Sequence, residues 1–280
     1  MAERLFDTHC HLQSARLDAD REALVEQAAG RGVAAGLIAG GSPDDWEKCE
    51  ALAARFGWYA GLGTHPLATR EVSLDAVEKL RDALSEARRD PESRVIAVAE
   101  IGIDGFDKTL DMARQEAFFA GQLKVARDFA LPVSVHARHA VDQVAKWLRR
   151  IEVPGGVIHA FNGSEAQAQV FMKLGFRLGF GGAMTYAGSL RIRRLAASLP
   201  LSSIMLETDC PDMPGSSRRD AGSVRTEPAD IADYLEELAR LRGMPAAELA
   251  PVLFENSLAS FPGMRDGLST LSAPFSRQSA

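Results

Sequence analysis

His9 and His11 flank Cys10, directly after the run Leu5-Phe6-Asp7-Thr8. On a strand, residues two apart face the same side. The pair therefore aims two imidazoles at one point, and imidazole ligates zinc, manganese, iron and nickel. Similar groups recur along the chain, each after a short apolar run. They are His65 beside Pro66, Glu100 in Ala99-Glu100-Ile101-Gly102-Ile103-Asp104, His136, His159, and Asp209 in Leu206-Glu207-Thr208-Asp209. Of the chain's 6 histidines, only His139 falls on a helix-like segment.

Four imidazoles and two carboxylates can hold two divalent ions, which together clamp the attacking and leaving oxygens of a displacement. The expected assignment places His9, His11, Glu100 and Asp209 on one ion and Glu100, His136 and His159 on the other. Glu100 is the expected bridge, because its strand lies between the His-Cys-His strand and those carrying His136 and His159. Such a donor set accepts Mg, Mn or Zn without distinguishing them. A metal-activated water is the expected nucleophile, with Asp209 placed to take its proton. Glu100 and Asp209 are thus the expected catalytic residues of a metal-dependent hydrolase acting on a phosphoester, amide or lactone.

Nearby polar residues have plainer readings. Asp7 orients a ligand or caps its loop, Glu207 packs or stands behind a ligand, and Asp104 binds a backbone loop. His65 is read as a substrate contact. His139 is an ordinary residue at a helix start, Cys10 points away from the histidines and packs, and Arg191 to Arg194 form a solvated helix face.

Positioning these groups requires several strands ending at one place. Short apolar runs without alternation occur at residues 4–8, 33–39, 58–63, 95–99, 132–135, 156–158, 176–180 and 203–207. Such runs suit strands buried on both faces of a parallel sheet. Amphipathic segments separate them, among them residues 21–31, 74–89, 114–129 and 140–150. Eight strand–helix units predict an α/β fold, a (β/α)8 TIM barrel, whose site sits at the C-terminal ends of the strands. One hydrolase domain over residues 1–262 is expected, with a flexible tail at 263–280. Residues 211–228, rich in Gly, Ser, Pro and Arg, read as a long loop after the eighth strand.

With 280 residues and 46% hydrophobic content, the chain can bury one large core. Its net charge of -6 disfavours nucleic acid on average. Contact with a polyanion must then be local, through bound cations or through Arg138, Arg218, Arg219 and Arg225. There is no secretory leader and no apolar run near the length of a membrane span. The 3 cysteines are odd in number and lack CxxC spacing, so the expected compartment is the cytoplasm. No protein partner is evident.

These stretches, taken in order, resemble one family. They are Phe6-Asp7-Thr8-His9-Cys10-His11-Leu12, Gly63-Thr64-His65-Pro66, Ala99 to Asp104, Gln115 through Gln122-Leu123, and Leu131 to Arg138. They continue with His159-Ala160-Phe161-Asn162-Gly163-Ser164, Leu206 to Pro211, and Asn256-Ser257-Leu258 before Phe261. The chain resembles the TatD-like metal-dependent deoxyribonucleases of the amidohydrolase type, closest to their YjjV branch, over residues 5–262. The resemblance implies a TIM barrel, two divalent metals and cleavage of DNA phosphodiesters, in single strands or at a 3′ end in the 3′-5′ direction. It carries the metal role onto His9, His11, Glu100, His136, His159 and Asp209, and brings His65 and Arg138 near substrate; Arg225 joins them through its charge. It departs at Thr226, where the family often has Asn, and at Ala160 and Asn162 in the sixth-strand motif; neither change removes a ligand. The alternative is a two-metal hydrolase of a small ester, amide or lactone, or of a modified-nucleotide linkage. Glu100 stands where many enzymes of that chemistry carry a carboxylated lysine.

Overall fold

The computed structural model describes residues 4–264. Of the tail expected at 263–280, residues 265–280 lie outside the described residues. The apolar runs become β1 (Leu5–Cys10), β2 (Val33–Ala39), β3 (Tyr59–Gly61), β4 (Val95–Gly102), β5 (Val133–His136), β6 (Gly156–Ile158), β7 (Phe176–Phe180) and β8 (Ile204–Leu206). They follow one another around the sheet in chain order, each paired parallel to the next.

Between the strands run α1 (Arg21–Gly30), α2 (Trp46–Phe56), α3 (Ala76–Ala87), α4 (Met112–Asp128), α5 (Val141–Leu148), α6 (Glu165–Lys173) and α7 (Leu190–Ser198). After β8 come α8 (Ser216–Asp220), α9 (Ile231–Arg242) and α10 (Ala246–Ser260). Helices outside and strands inside make the expected TIM barrel. Local sequence sets the helix ends. Ser164 and Gln167 form a reciprocal cap at the start of α6, and Asp111 accepts from Ala113 and Arg114 at the start of α4. Gly57 and Gly243, both left-handed, stop α2 and α9.

Two strands outrun the apolar pattern. β1 continues to Cys10 and β4 to Gly102, with ladder partners Cys10↔Ile38 and Gly102↔His136. The backbone keeps pairing after the side chains turn polar, so His9 and Glu100 sit inside strands rather than beyond them. The third strand is shorter than residues 58–63, and the 211–228 segment carries helix α8.

No ladder joins β8 to β1 among the described residues. Hydrogen bonds close that seam instead. Thr8 Oγ1 donates to the Leu206 carbonyl (2.9 Å), Asp209 N–H to the His9 carbonyl (2.9 Å), and His11 N–H to the Cys210 carbonyl (2.6 Å). The Asp7 carboxylate accepts from Thr208 N–H (2.9 Å) and Thr208 Oγ1 (2.5 Å). Helix α10 packs beside the seam, and Asn256 Nδ2 donates to the carbonyls of Leu201 and Ile204, each at 2.8 Å. No helix among the described residues is long and apolar enough to cross a membrane.

Candidate metal centre

Glu100, only 1% exposed, is the midpoint of the polar cluster at the mouth of the barrel. Its two oxygens face different partners. Oε2 lies 3.2 Å from His9 Nε2 and 3.2 Å from His11 Nε2. Oε1 lies 2.9 Å from His136 Nδ1 and 2.9 Å from His159 Nε2. Asp209 Oδ1 completes the first group, 3.7 Å from His9 Nε2 and 3.4 Å from His11 Nε2. Nitrogen and oxygen ligands about 2 Å from a shared cation stand about 3 Å apart. The spacing and the donor types therefore fit divalent ions. The structure brings together all six residues expected as ligands, although His9 also groups with His159 and Asp209 across the expected division.

The outer nitrogens of the imidazoles decide which ring atoms face inward with a lone pair. His11 Nδ1 is 2.9 Å from the Ala39 carbonyl, which only accepts, so the proton sits on Nδ1 and Nε2 is free to ligate. His136 Nε2 donates to Asp104 Oδ2 at 3.0 Å, which frees Nδ1. Ser134 Oγ lies 2.7 Å from His9 Nδ1, and Glu207 Oε1 lies 3.7 Å from His159 Nδ1.

His65 is the reverse case. Its Nδ1 accepts from Leu67 N–H at 3.1 Å, so its proton sits on Nε2. That Nε2 lies 3.4 Å from Glu100 Oε1 and 3.4 Å from His136 Nδ1. His65 could join Glu100 and His136 in a geometric triad, but a ring presenting N–H is a donor toward an oxygen, not a ligand.

Charge within the cluster follows from burial and proximity. Burial opposes ionisation of Glu100, but His65, His159 and His9 outweigh it and hold its carboxyl well below the usual range. Burial likewise disfavours the imidazolium of His11, yet hydrogen bonds to Asp209 and Glu100 hold it well above the ordinary value. His136 is raised against burial by Asp104 and Glu100, and His159 well raised by Glu100. His9 moves the other way, lowered by burial and by the neighbouring His159. Burial pushes Asp7 up to about 7 despite its bonds from Thr208.

The residues around the cluster have definite tasks. Asp7 ties β1 to the Asp209 loop. Asp104 accepts from Phe106 N–H (2.7 Å) and Asp107 N–H (3.1 Å) as well as from His136, so it binds a backbone loop as expected and orients the His136 ring too. Glu207 Oε1 accepts from Ala160 N–H at 2.5 Å. A Cβ on Gly179 would meet Glu207 Oε2 at 2.0 Å, so glycine makes room for that carboxylate. Cys10 and Cys210 are buried and donate to the carbonyls of Leu37 and Thr226. Thr226 is buried as well, binding the Asp212 carbonyl inside the long loop.

The expected cationic contacts separate. Arg225 is paired with Asp20 (2.7 Å) and Glu227 (3.0 Å), and Arg218 with Asp230 (2.7 Å) and Glu227 (2.5 Å). Arg138 is exposed, stacked over Phe106, and has no ion pair among the described residues.

Sequence reasoning missed the purpose of Ser134, Gln115 and Gln122. Gln115 Oε1 accepts from Asp104 N–H (2.7 Å) and its Nε2 donates to the Asp104 carbonyl (3.0 Å). Gln122 does the same for Thr64, at 2.6 and 3.1 Å. Both are buried on α4. Two glutamines seven apart on the otherwise apolar inward face of this helix were the available signal.

The comparisons with known proteins agree with this architecture. The profile of the TatD related DNase family matches residues 6–262, so the chain belongs to that family and is a metal-dependent hydrolase. It is 36% identical over 260 residues to the uncharacterized metal-dependent hydrolase YjjV of Escherichia coli K12, covering 92% of this chain and 98% of that one. It is 31% identical to the 3′-5′ ssDNA/RNA exonuclease TatD of Cronobacter sakazakii, covering 92% of this chain and 97% of that protein. The crystal structure of Escherichia coli YjjV superposes with a TM-score of 0.87 at 35% identity, covering 94% of this chain and 99% of the other.

Proposed function

We propose that the enzyme is a deoxyribonuclease that hydrolyses phosphodiesters of single-stranded DNA from the 3′ end, using two divalent cations held by the cluster. The carrying observation is the division of Glu100. Its Oε2 faces His9 and His11, and its Oε1 faces His136 and His159, which is the arrangement of a carboxylate shared by two cations. Asp209 belongs with the first group. Bound cations there would supply Lewis acidity, activating a water and neutralising charge on the scissile phosphate.

The chain's own groups do the rest. Asp209 Oδ1, at the partly open edge of the cluster, accepts the proton of the attacking water. His65 presents Nε2–H, a donor suited to a phosphate oxygen. Arg138 is better placed than Arg225, since its charge is unpaired among the described residues and it lies two residues after His136, while Arg225 orders the long loop through Asp20 and Glu227. The net charge of -6 is compatible with this substrate because the attraction is concentrated at the mouth. The family and the exonuclease name of its TatD relatives support the DNA reading over a small ester or lactone. The 3 buried, unpaired cysteines support a cytoplasmic setting.

The test is turnover of end-labelled single-stranded and duplex DNA and of RNA, with chelator and metal add-back. Single-stranded DNA should shorten from its 3′ end, stop with chelator, and resume with manganese or magnesium. Asp209→Asn should lower kcat by about 10²- to 10⁴-fold, the usual worth of a positioned proton acceptor. Turnover of small esters with no action on any nucleic acid would reverse the assignment.

A further inference from the structure

We propose that Phe106 and Arg138 form a binding subsite for one nucleobase of a single-stranded nucleic acid, at the rim of the metal centre. The inference rests on the nucleic-acid reading above and adds to it a place for a base rather than a phosphate.

Phe106 is 53% exposed, while the other phenylalanine, tyrosine and tryptophan rings among the described residues are at least partly buried. A bare phenyl ring on a protein surface loses favourable burial. Its position is also well determined. The Phe106 backbone N–H donates to Asp104 Oδ1 at 2.7 Å, and Asp104 Oδ2 accepts from His136. The Phe106 backbone is therefore tied through one carboxylate to a residue of the Glu100 cluster.

Arg138 comes from a different loop, two residues after His136. The two loops are joined by Gly105 N–H, which donates to the Arg138 carbonyl at 2.7 Å. A side chain at position 105 would strike the His139 carbonyl at 2.5 Å, so glycine permits this close approach. The Arg138 guanidinium carbon lies 3.8 Å from the Phe106 ring centroid, against 4.8–5.9 Å for the other cation–ring pairs. His139 meets the same ring edge-on, at 5.4 Å between centroids.

The outcome is a cationic, solvent-facing contact of guanidinium and ring, with no ion pair to Arg138 among the described residues. Unstacked bases bind to aromatic rings and to arginine planes, while duplex bases cannot reach such a surface. A guanidinium already close against a ring offers a planar group on which a base can stack, while its N–H groups can reach a phosphate. An acidic peptide would satisfy the charge of Arg138 but would leave the phenyl surface without a partner. The pair favours a ligand that is both planar and anionic.

The test compares a thymidylate octamer with a set of octamers carrying one abasic site each, using the manganese-supplied enzyme. For the wild type, an abasic site at one position should raise KM about five- to hundredfold, the usual worth of one stacked base. Phe106→Ala should raise KM for the intact octamer by a similar factor and lose its sensitivity to that position. Phe106→Trp should keep the sensitivity, and its indole emission should be quenched by the intact octamer more than that of the wild type. Equal KM values for Phe106→Ala and wild type, or unchanged sensitivity of Phe106→Ala to the abasic position, would overturn the subsite and leave the nuclease reading standing. A wild type that turns over bis(4-nitrophenyl) phosphate but no octamer would overturn both.

Discussion

A buried carboxylate survives at Glu100 because positive or polarised groups surround it. Isolated ionised carboxyls are expensive to bury, and here four imidazole nitrogens lie 2.9–3.2 Å from its two oxygens. The raised affinity for protons at His11, His136 and His159 has a direct consequence. A cation must displace protons held by those rings, so metal affinity rises with pH through the range in which they titrate. Calorimetric titration of manganese at fixed pH, in buffers of different ionisation enthalpy, should show net proton release on binding. No release would mean that the histidines are not ligands. The six residues that gather around Glu100 were legible in the sequence because metal chemistry restricts residue type. Their supports were not. Ser134, Gln115 and Gln122 act through partners 125, 11 and 58 positions away in the chain, and nothing in their local sequence marks those partners. Arg225 shows the opposite failure: its positive charge was visible, but the carboxylate of Asp20 that pairs with it was not.

At the scale of elements, burial explains both what could be read and what could not. Strands covered on both faces must be apolar throughout, so all eight announced themselves. The ends of β1 and β4 did not, because a residue that pairs through its backbone can carry any side chain. The polar ends of these two strands hold His9 and Glu100 on rigid ladders, which fixes a side chain more tightly than a loop would. The helices supply a test remote from chemistry. At the end of α4, Ala130 is left-handed, with φ of 53°. Leu131 N–H donates to the Ala126 carbonyl at 2.9 Å, so the helix closes in the manner that usually employs glycine. Ala130→Gly should stabilise the fold by about 0.5–1 kcal/mol, relieving the crowding of Cβ in that conformation. Denaturant unfolding checks this, and nuclease turnover should not change. A lower midpoint would contradict the strain argument.

For the whole molecule, closure of the barrel and assembly of the site are one event. β8 meets β1 through Thr8, His9, His11, Asp7 and Thr208, and the same bonds deliver Asp209 to His9 and His11. On the proposed reading, an acidic protein would gather its affinity for anions into this one region, through cations at the cluster and the exposed Arg138. The proposed activity requires that this region hold two ions with Glu100 between them. Anomalous diffraction at the manganese edge, from a crystal soaked in manganese, measures this directly. The prediction is a pair of peaks on either side of the Glu100 carboxylate, one beside His9, His11 and Asp209 and one beside His136 and His159. A map without peaks among those six side chains would contradict it.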